Sequence, residues 1–240
     1  MTSLYDQLRL RMPQLRMTPL LIAVNVIVFV AMLFNGAGLW HSQNGVQLAW
    51  GANFGPATQD GQWWRLGSAL FLHFGLLHIS LNMFALWDAG QWVERMYGHL
   101  RFAVIYFAAG LVGNLLSLVI HDGHAVSGGA SGAIFGLYGA LLSYLWLERQ
   151  RIHRGEFRWL FWAAIGFSVA TIIFGFLVPG IDNAAHIGGL TTGLLMGVLL
   201  VKSEEENRVI RRPGQWASAI ALVILIGGMV ARIPAPAYRW

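Results

Sequence analysis

Four polar residues interrupt long apolar stretches of the chain, and their types are those used in acyl transfer. Ser131 lies in the string GASG, His186 in AAHIGG, and His78 and Asn82 in HISLN. A serine becomes a nucleophile when a neutral histidine within hydrogen-bond reach removes its proton. His78 and Asn82 are four residues apart, so on a helix they share a face, and both can donate hydrogen bonds to an oxygen that becomes negative. The types therefore suit a nucleophile, a base and two oxyanion donors.

The composition that surrounds these residues is that of a membrane protein. The chain has 240 residues, of which 56% are hydrophobic and 11% charged, whereas soluble domains carry about 25% charged residues. It contains no cysteine, which excludes disulfides, thiolate catalysis and cysteine-based metal sites. The net charge of +5 could indicate nucleic-acid binding. Because the basic residues cluster between apolar runs, we interpret them instead as signals of orientation in a bilayer.

Seven apolar segments approach the 20 or so residues that a helix needs to cross the hydrocarbon core. They predict an all-α polytopic transmembrane helix bundle, since barrel strands would alternate in polarity over about ten residues. The predicted spans are 18–35, 68–92, 102–120, 130–147, 159–178, 184–201 and 214–231. The expected organisation is a tail over 1–17, a six-helix core over 18–201, a linker over 202–213, and an additional helix with a short tail over 214–240.

The distribution of basic residues predicts the orientation of these spans. Thirteen of the 16 Lys and Arg residues lie in the tail, in the linker and in the loops after the second and fourth spans. The other three are Arg65, Arg232 and Arg239. Basic residues concentrate on the cytoplasmic side. We therefore expect the tail and the linker to be cytoplasmic and the C-terminus to lie outside.

Small residues recur every four positions on the fourth and sixth predicted spans, which run in the same direction. The two stripes are Gly128, Gly132, Gly136 and Ala140 on one span, and Ala185, Gly189, Gly193 and Gly197 on the other. Such faces allow helix backbones to approach closely in lipid. Because Ser131 adjoins one stripe and His186 the other, this packing predicts that the hydroxyl and the imidazole meet in the outer half of the membrane.

Each of these patterns also has a purely structural interpretation, which the residues alone leave open. GASG is a common packing string, a lone His186 is often a hydrogen-bonded structural residue, and HxxxN suits a polar contact between helices or part of a metal site. Asp182, four residues before His186, either caps the sixth helix or completes a triad. Asp88 is the nearest acid to HISLN and is expected toward the inner end of its span. His73 is expected to face a different neighbour from the other polar residues.

Taken together, the strings resemble the rhomboid family of intramembrane serine proteases over roughly residues 18–201. The matching strings, in order, are WWR at 63–65, FLHFGLLHISLNM at 71–83, GGASGAIFG at 128–136 and AHIGGLTTG at 185–193. The additional last helix resembles the six-plus-one arrangement of many members. The resemblance implies a Ser–His dyad without an acidic third member.

The resemblance also implies a role for each residue. Ser131 would be the nucleophile, His186 the base, and His78, Asn82 and the Ser131 backbone N–H the oxyanion donors. Phe135 stands where the family often has a tyrosine that stacks on the catalytic histidine, so the ring is kept and the hydroxyl is lost. No cofactor and no metal ion are implied.

The implied partners are transmembrane protein substrates, which would enter between the second and fifth spans, together with membrane lipids and no nucleic acid. The implied location is the bacterial inner membrane. The alternative is a non-catalytic member that binds or escorts transmembrane clients. Such a protein would typically lack the serine or the histidine, and both are present here. A transporter would require charged residues in the middle of the spans, where the predicted boundaries place none.

Overall fold

Helices joined by short loops make up the chain in the computed structural model, which describes residues 2–121, 125–201 and 208–233. Within these ranges, the extended structure is one isolated bridge between Asn53 and Ser127. The helices are α1 (Leu4–Arg11), α2 (Met17–Phe34), α3 (Asn44–Ala49), α4 (Gly55–Gln59), α5 (Arg65–Ser68), α6 (Leu76–Tyr97), α7 (His99–Ile120), α8 (Ser131–Glu148), α9 (Arg154–Leu177), α10 (Asn183–Leu200) and α11 (Arg208–Val230). The predicted all-α polytopic helix bundle is confirmed.

Within the described ranges, five helices are long and apolar enough to cross a membrane, namely α2, α7, α9, α10 and the Pro213–Val230 part of α11. A sixth span would combine Arg65–Phe71 with α6, which are bent by 93° relative to each other. The predicted fourth span corresponds to α8, an 18-residue helix that carries two serines, two tyrosines and Glu148 and lies buried along most of its length. The total of seven spans stays a prediction.

The bend changes the boundaries predicted for the second span. The sequence placed it at 68–92, whereas the continuous helix α6 begins at Leu76 and ends at Tyr97. The residues before it turn away, and the Leu76 backbone N–H donates to the Leu39 carbonyl oxygen at 2.8 Å. A side chain at Gly75 would collide with the Trp40 carbonyl. Hydropathy averages over both parts, so it could not locate the break.

The centre of the bundle consists of α8, α10 and α7, which share the most extensive contacts between helices. Their approach depends on glycine: a side chain at Gly189 would collide with the backbone of Gly132, and one at Gly193 with the backbone of Gly136. The predicted contact between the two small-residue stripes is therefore confirmed for these pairs. The prediction is wrong for Gly128, because this residue precedes α8 and faces Ala69 and Leu72 instead of α10.

The segment predicted as the N-terminal tail is folded against the bundle. It contains α1, whose N-cap Ser3 accepts a hydrogen bond from the Asp6 backbone N–H. The linker residues 202–207, the terminal residues 234–240 and the loop residues Asp122 and His124 lie outside the described ranges. The predicted domain boundaries stay predictions.

A buried carboxylate on α6 holds the start of α2. Glu94 is fully buried and accepts hydrogen bonds at 2.8 Å from the backbone N–H groups of Arg16, Met17 and Thr18. It also accepts from the Thr18 hydroxyl at 2.6 Å and contacts His99 Nδ1 at 2.6 Å. The first N–H groups of a helix have no partner within the helix. Glu94 supplies those partners and places a negative charge at the positive end of the helix dipole.

We expect Glu94→Gln to lower the free energy of unfolding by about 3 kcal/mol, because several charge-assisted hydrogen bonds would weaken together in a buried position. Denaturant titration of the purified protein in detergent measures this. Glu156→Gln is the matched control, since Glu156 accepts a single bond from the Leu4 N–H and should cost less than about 1 kcal/mol. Equal stability of the wild-type and Glu94→Gln proteins would contradict the capping role.

Candidate active site

Ser131 is the first residue of α8 and is half-buried. The preceding loop is anchored by the Gly129 N–H, which donates to the Ala69 carbonyl oxygen at 2.8 Å. Gly129 has φ of +142°, a conformation that side chains rarely adopt. The first backbone N–H groups of α8 have no partner within the helix and are directed outward from its N-terminal end. The hydroxyl therefore lies beside hydrogen-bond donors and the positive end of a helix dipole.

His186 lies in the first turn of α10 and is 4% exposed. Its Nε2 atom lies 2.9 Å from Ser131 Oγ, although 55 residues separate the two in the sequence. The close glycine contacts between α8 and α10 bring these two helix ends together. The sequence-based expectation that the hydroxyl and the imidazole meet is thus matched by the geometry.

An aromatic ring fixes the plane of this imidazole. Phe135, one turn after Ser131, stacks on His186 with ring centroids 4.4 Å apart and planes 12° apart. The stacking expected from the resemblance is present with phenylalanine in place of tyrosine. The hydroxyl is therefore not needed to hold the histidine ring in this orientation.

Asp182 caps α10 and lies 3.5 Å from His121 Nε2, but it does not bond to His186. Its Oδ1 accepts from the Ala185 N–H at 2.9 Å, and its Oδ2 accepts from the hydroxyls of Ser117 and Ser127 at 2.5 Å each. Within the described ranges, His186 Nδ1 has no hydrogen-bond partner. Of the two interpretations of Asp182, the helix cap is confirmed, and among the described residues Asp182 makes no hydrogen bond to His186 of the kind found in a triad.

His78 faces the same loop as the serine. Its Nδ1 accepts a hydrogen bond from the Phe74 backbone N–H at 3.3 Å, which leaves the ring proton on Nε2. A Cβ atom at Gly129 would lie 3.0 Å from His78 Nε2 and 3.8 Å from Ser131 Oγ. The N–H of His78 is therefore a donor close to the serine.

Asn82 lies one turn further along α6 and is buried. Its Nδ2 donates to the His78 carbonyl oxygen at 2.9 Å. An amide nitrogen carries two hydrogens, so one donor remains for a substrate oxygen. The shared helix face expected from the i, i+4 spacing is present.

His73 is a neighbour of the site that the sequence did not place there. It is fully buried, and its ring meets that of His78 edge-on, with centroids 5.1 Å apart. The expectation that it faces a different neighbour is wrong, because the bend before Leu76 turns His73 back toward α6. No periodicity rule could reveal this contact, since residues 72–75 are not helical.

The fold and the site define a class of protein: a polytopic helix bundle in which a serine and a histidine are in hydrogen-bond contact. Among the described residues, no three His, Asp or Glu side chains are placed to hold a metal ion. A hydroxyl, an imidazole and nearby N–H donors are the components of nucleophilic acyl transfer.

Comparison with known proteins agrees with this class. Residues 60–203 match the family described as Rhomboid domain. The chain is 39% identical over 188 residues to Rhomboid protease GluP of Bacillus subtilis (strain 168), covering 76% of this chain and 34% of that protein. It is 35% identical over 187 residues to Rhomboid-like protease 1 of Toxoplasma gondii, covering 77% of this chain and 62% of that protein.

A plant relative, RHOMBOID-like protein 5 of Arabidopsis thaliana, is 40% identical over 145 residues, covering 60% of this chain and 46% of that protein. The chain therefore spans between about one third and three fifths of the length of these relatives. The chain belongs to the rhomboid family. It is an integral membrane protein of a family that includes proteases.

Proposed function

We propose that this protein is an intramembrane serine endopeptidase that cleaves transmembrane-anchored protein substrates in or near the bilayer. The observation that carries the proposal is the 2.9 Å contact between Ser131 Oγ and His186 Nε2 in a bundle of apolar helices. The relatives named as proteases support the same reaction class. The Ser–His dyad and the substrate class are our proposals.

The first half-reaction forms an acyl-enzyme. Ser131 Oγ attacks the carbonyl carbon of the scissile peptide bond while His186 Nε2 takes the hydroxyl proton. The carbonyl oxygen becomes negative, and it accepts hydrogen bonds from the Ser131 backbone N–H, His78 Nε2 and Asn82 Nδ2. The C–N bond then breaks, and His186 gives its proton to the leaving amine. Water repeats the sequence on the ester and releases the second product.

The site requires access from two directions. The substrate helix would arrive laterally from the lipid, between α6 and α9, and water would arrive from the side on which Ser131 lies. The loop between α9 and α10 covers part of this side and contains Gly180 with φ of +90°. The distribution of basic residues supports an outside location for this side and a cytoplasmic N-terminus, as proposed for a bacterial inner membrane protein.

The proposal is tested with the purified chain in liposomes and a labelled single-span substrate. A fluorophosphonate should stop cleavage, and peptide mapping should locate the adduct on Ser131. The rival function, binding or escort of transmembrane clients without chemistry, predicts substrate binding with neither product nor adduct. Product without an adduct, or an adduct on another residue, would contradict the proposed nucleophile.

The two side-chain donors should affect turnover more than labelling. We expect His78→Ala and Asn82→Ala each to lower kcat by about 100–1000-fold, because each removes one donor to the transition-state oxygen. Fluorophosphonate labelling of Ser131 should persist. Steady-state cleavage in liposomes measures the loss, and Ser80→Ala, an exposed residue between them on α6, is the matched control. Unchanged kcat in both variants would remove His78 and Asn82 from the oxyanion site.

A further inference from the structure

An acidic side chain lies near the middle of α6, where the sequence-based boundaries did not place one. Asp88 is twelve residues after Leu76 and nine before Tyr97, or about 18 Å and 14 Å from the two ends of the helix. Its side chain is exposed. Ionisable groups at such a depth are costly and mark functional positions. The proposed catalytic steps make no use of this carboxylate.

The contacts of Asp88 connect three helices. Its Oδ2 accepts a hydrogen bond from the Tyr138 hydroxyl on α8 at 2.8 Å. The Tyr138 ring stacks on Phe167 of α9, with centroids 4.4 Å and planes 21° apart. Over the described ranges, no hydrogen bond reaches Asp88 Oδ1. One carboxylate oxygen is thus held in place by α8, and the other is available to a ligand.

Asp88 continues an exposed apolar face of α6. Leu77, Leu81 and Phe84 are 67%, 58% and 72% exposed, and their spacing to Asp88 places all four on one side of the helix. Because Asp88 bonds to Tyr138 of α8, whose ring stacks on Phe167 of α9, this face borders the gap between α6 and α9. A transmembrane segment lying in that gap would contact apolar side chains first and then the carboxylate.

The distance from the nucleophile fixes which substrate residue could reach Asp88. Tyr138 follows Ser131 by seven residues on α8, which is about 10 Å along the helix axis. Three extended residues at about 3.3 Å each, or seven helical residues at about 1.5 Å each, cover this distance. In a substrate whose N-terminal part lies on the same side of the membrane as Ser131, the third to the seventh residue after the cleaved bond therefore reaches the depth of Asp88.

We propose that Asp88 is a specificity-determining residue that binds a basic side chain of the substrate, three to seven residues after the cleaved bond. This inference rests on the proposed protease function. A basic side chain in a transmembrane segment needs an anionic partner at its own depth, and Asp88 offers one whose position is set by Tyr138. A structural role alone would not require an exposed charge, because a neutral acceptor could bind the tyrosine hydroxyl.

The test uses single-span substrates that carry leucine, lysine or aspartate at one position of this window. Wild type should cleave the lysine substrate with a kcat/KM about tenfold above that of the leucine substrate, and the aspartate substrate about tenfold below it. Asp88→Asn should bring the lysine and leucine values together. Asp88→Lys should reverse the order of lysine and aspartate.

Two controls separate this inference from the proposed function. Gln91→Lys adds a charge one turn further along α6 and should leave the wild-type order of the substrates unchanged. Cleavage of the leucine substrate by wild type and by Asp88→Asn tests the protease function and folding independently of the charge. If that substrate is cleaved but the lysine preference is absent, or survives in Asp88→Asn, the inference is wrong and the protease function stands. If no substrate is cleaved, the protease function itself fails and the inference fails with it.

Discussion

Replacing Ser131 by alanine is expected to abolish cleavage, with kcat falling by a factor of about 10⁴ or more. Loss of a nucleophile removes the acyl-enzyme route, and residual rates in serine proteases come from binding and the oxyanion donors alone. His186→Ala should cost about as much, since in the proposed mechanism the hydroxyl loses its proton across the 2.9 Å contact. Product formation from a labelled transmembrane substrate in liposomes measures both losses.

The double variant provides a sharper test than either single change. Residues that act as one catalytic unit are strongly non-additive, so Ser131→Ala combined with His186→Ala should be no slower than Ser131→Ala alone. Ser143→Ala, on the same helix but bonded to the Leu194 carbonyl oxygen, is the matched control and should stay within about threefold of wild type. Equal cleavage by wild type and Ser131→Ala would end the protease proposal.

Adding one methyl group at Gly193 should disable the protein without touching a catalytic residue. The new Cβ would overlap the carbonyl group and Cα of Gly136, and neither backbone can move without separating α8 from α10. We expect Gly193→Ala to lower the free energy of unfolding by about 3 kcal/mol. Cleavage should fall by about 100-fold or more, because a misplacement of 1 Å at the reacting groups costs that much.

The control for Gly193 is a glycine in open space. Apart from the neighbouring backbone of its own helix, no atom of the described residues lies within 4 Å of the position that a Cβ would take at Gly166 on α9, so Gly166→Ala should keep both stability and activity. Denaturant titration and the liposome assay, run in parallel, measure the two effects. Wild-type activity in Gly193→Ala would show that α8 and α10 do not need this close contact to align the dyad.

The glycines of α8 and α10 show which helix contacts could be predicted from the sequence. The four-residue spacing of Gly132, Gly136, Gly189 and Gly193 was sufficient to predict a close contact between two helices, because helical periodicity is a local property. Gly128 fits the same spacing but precedes α8 and does not face α10. A spacing rule assumes that the helix is continuous, and it fails where the chain turns.

In the candidate site, too, some residues could be predicted from the sequence and others needed the structure. Ser131 and His186 could be proposed from the sequence because their residue types, the small-residue stripes beside them and the family resemblance agree, whereas each pattern by itself left a structural interpretation open. Asp182 illustrates the opposite case: its position four residues before His186 fits a cap and a triad equally well. Only the bonds to Ser117, Ser127 and the Ala185 N–H assign it to the cap.

The sequence by itself determined that the chain is an all-α membrane protein, which helices would meet, and which four polar residues to consider at the site. These properties follow from local composition and periodicity. The tertiary structure alone decided the 93° break before α6, the burial of Glu94 against the start of α2, the contact of His73 with His78, and the mid-helix depth of Asp88 beside Tyr138. Each of these features depends on how far the end of one helix lies from its neighbours in space. An average of sequence properties over a window of residues carries no information about that separation.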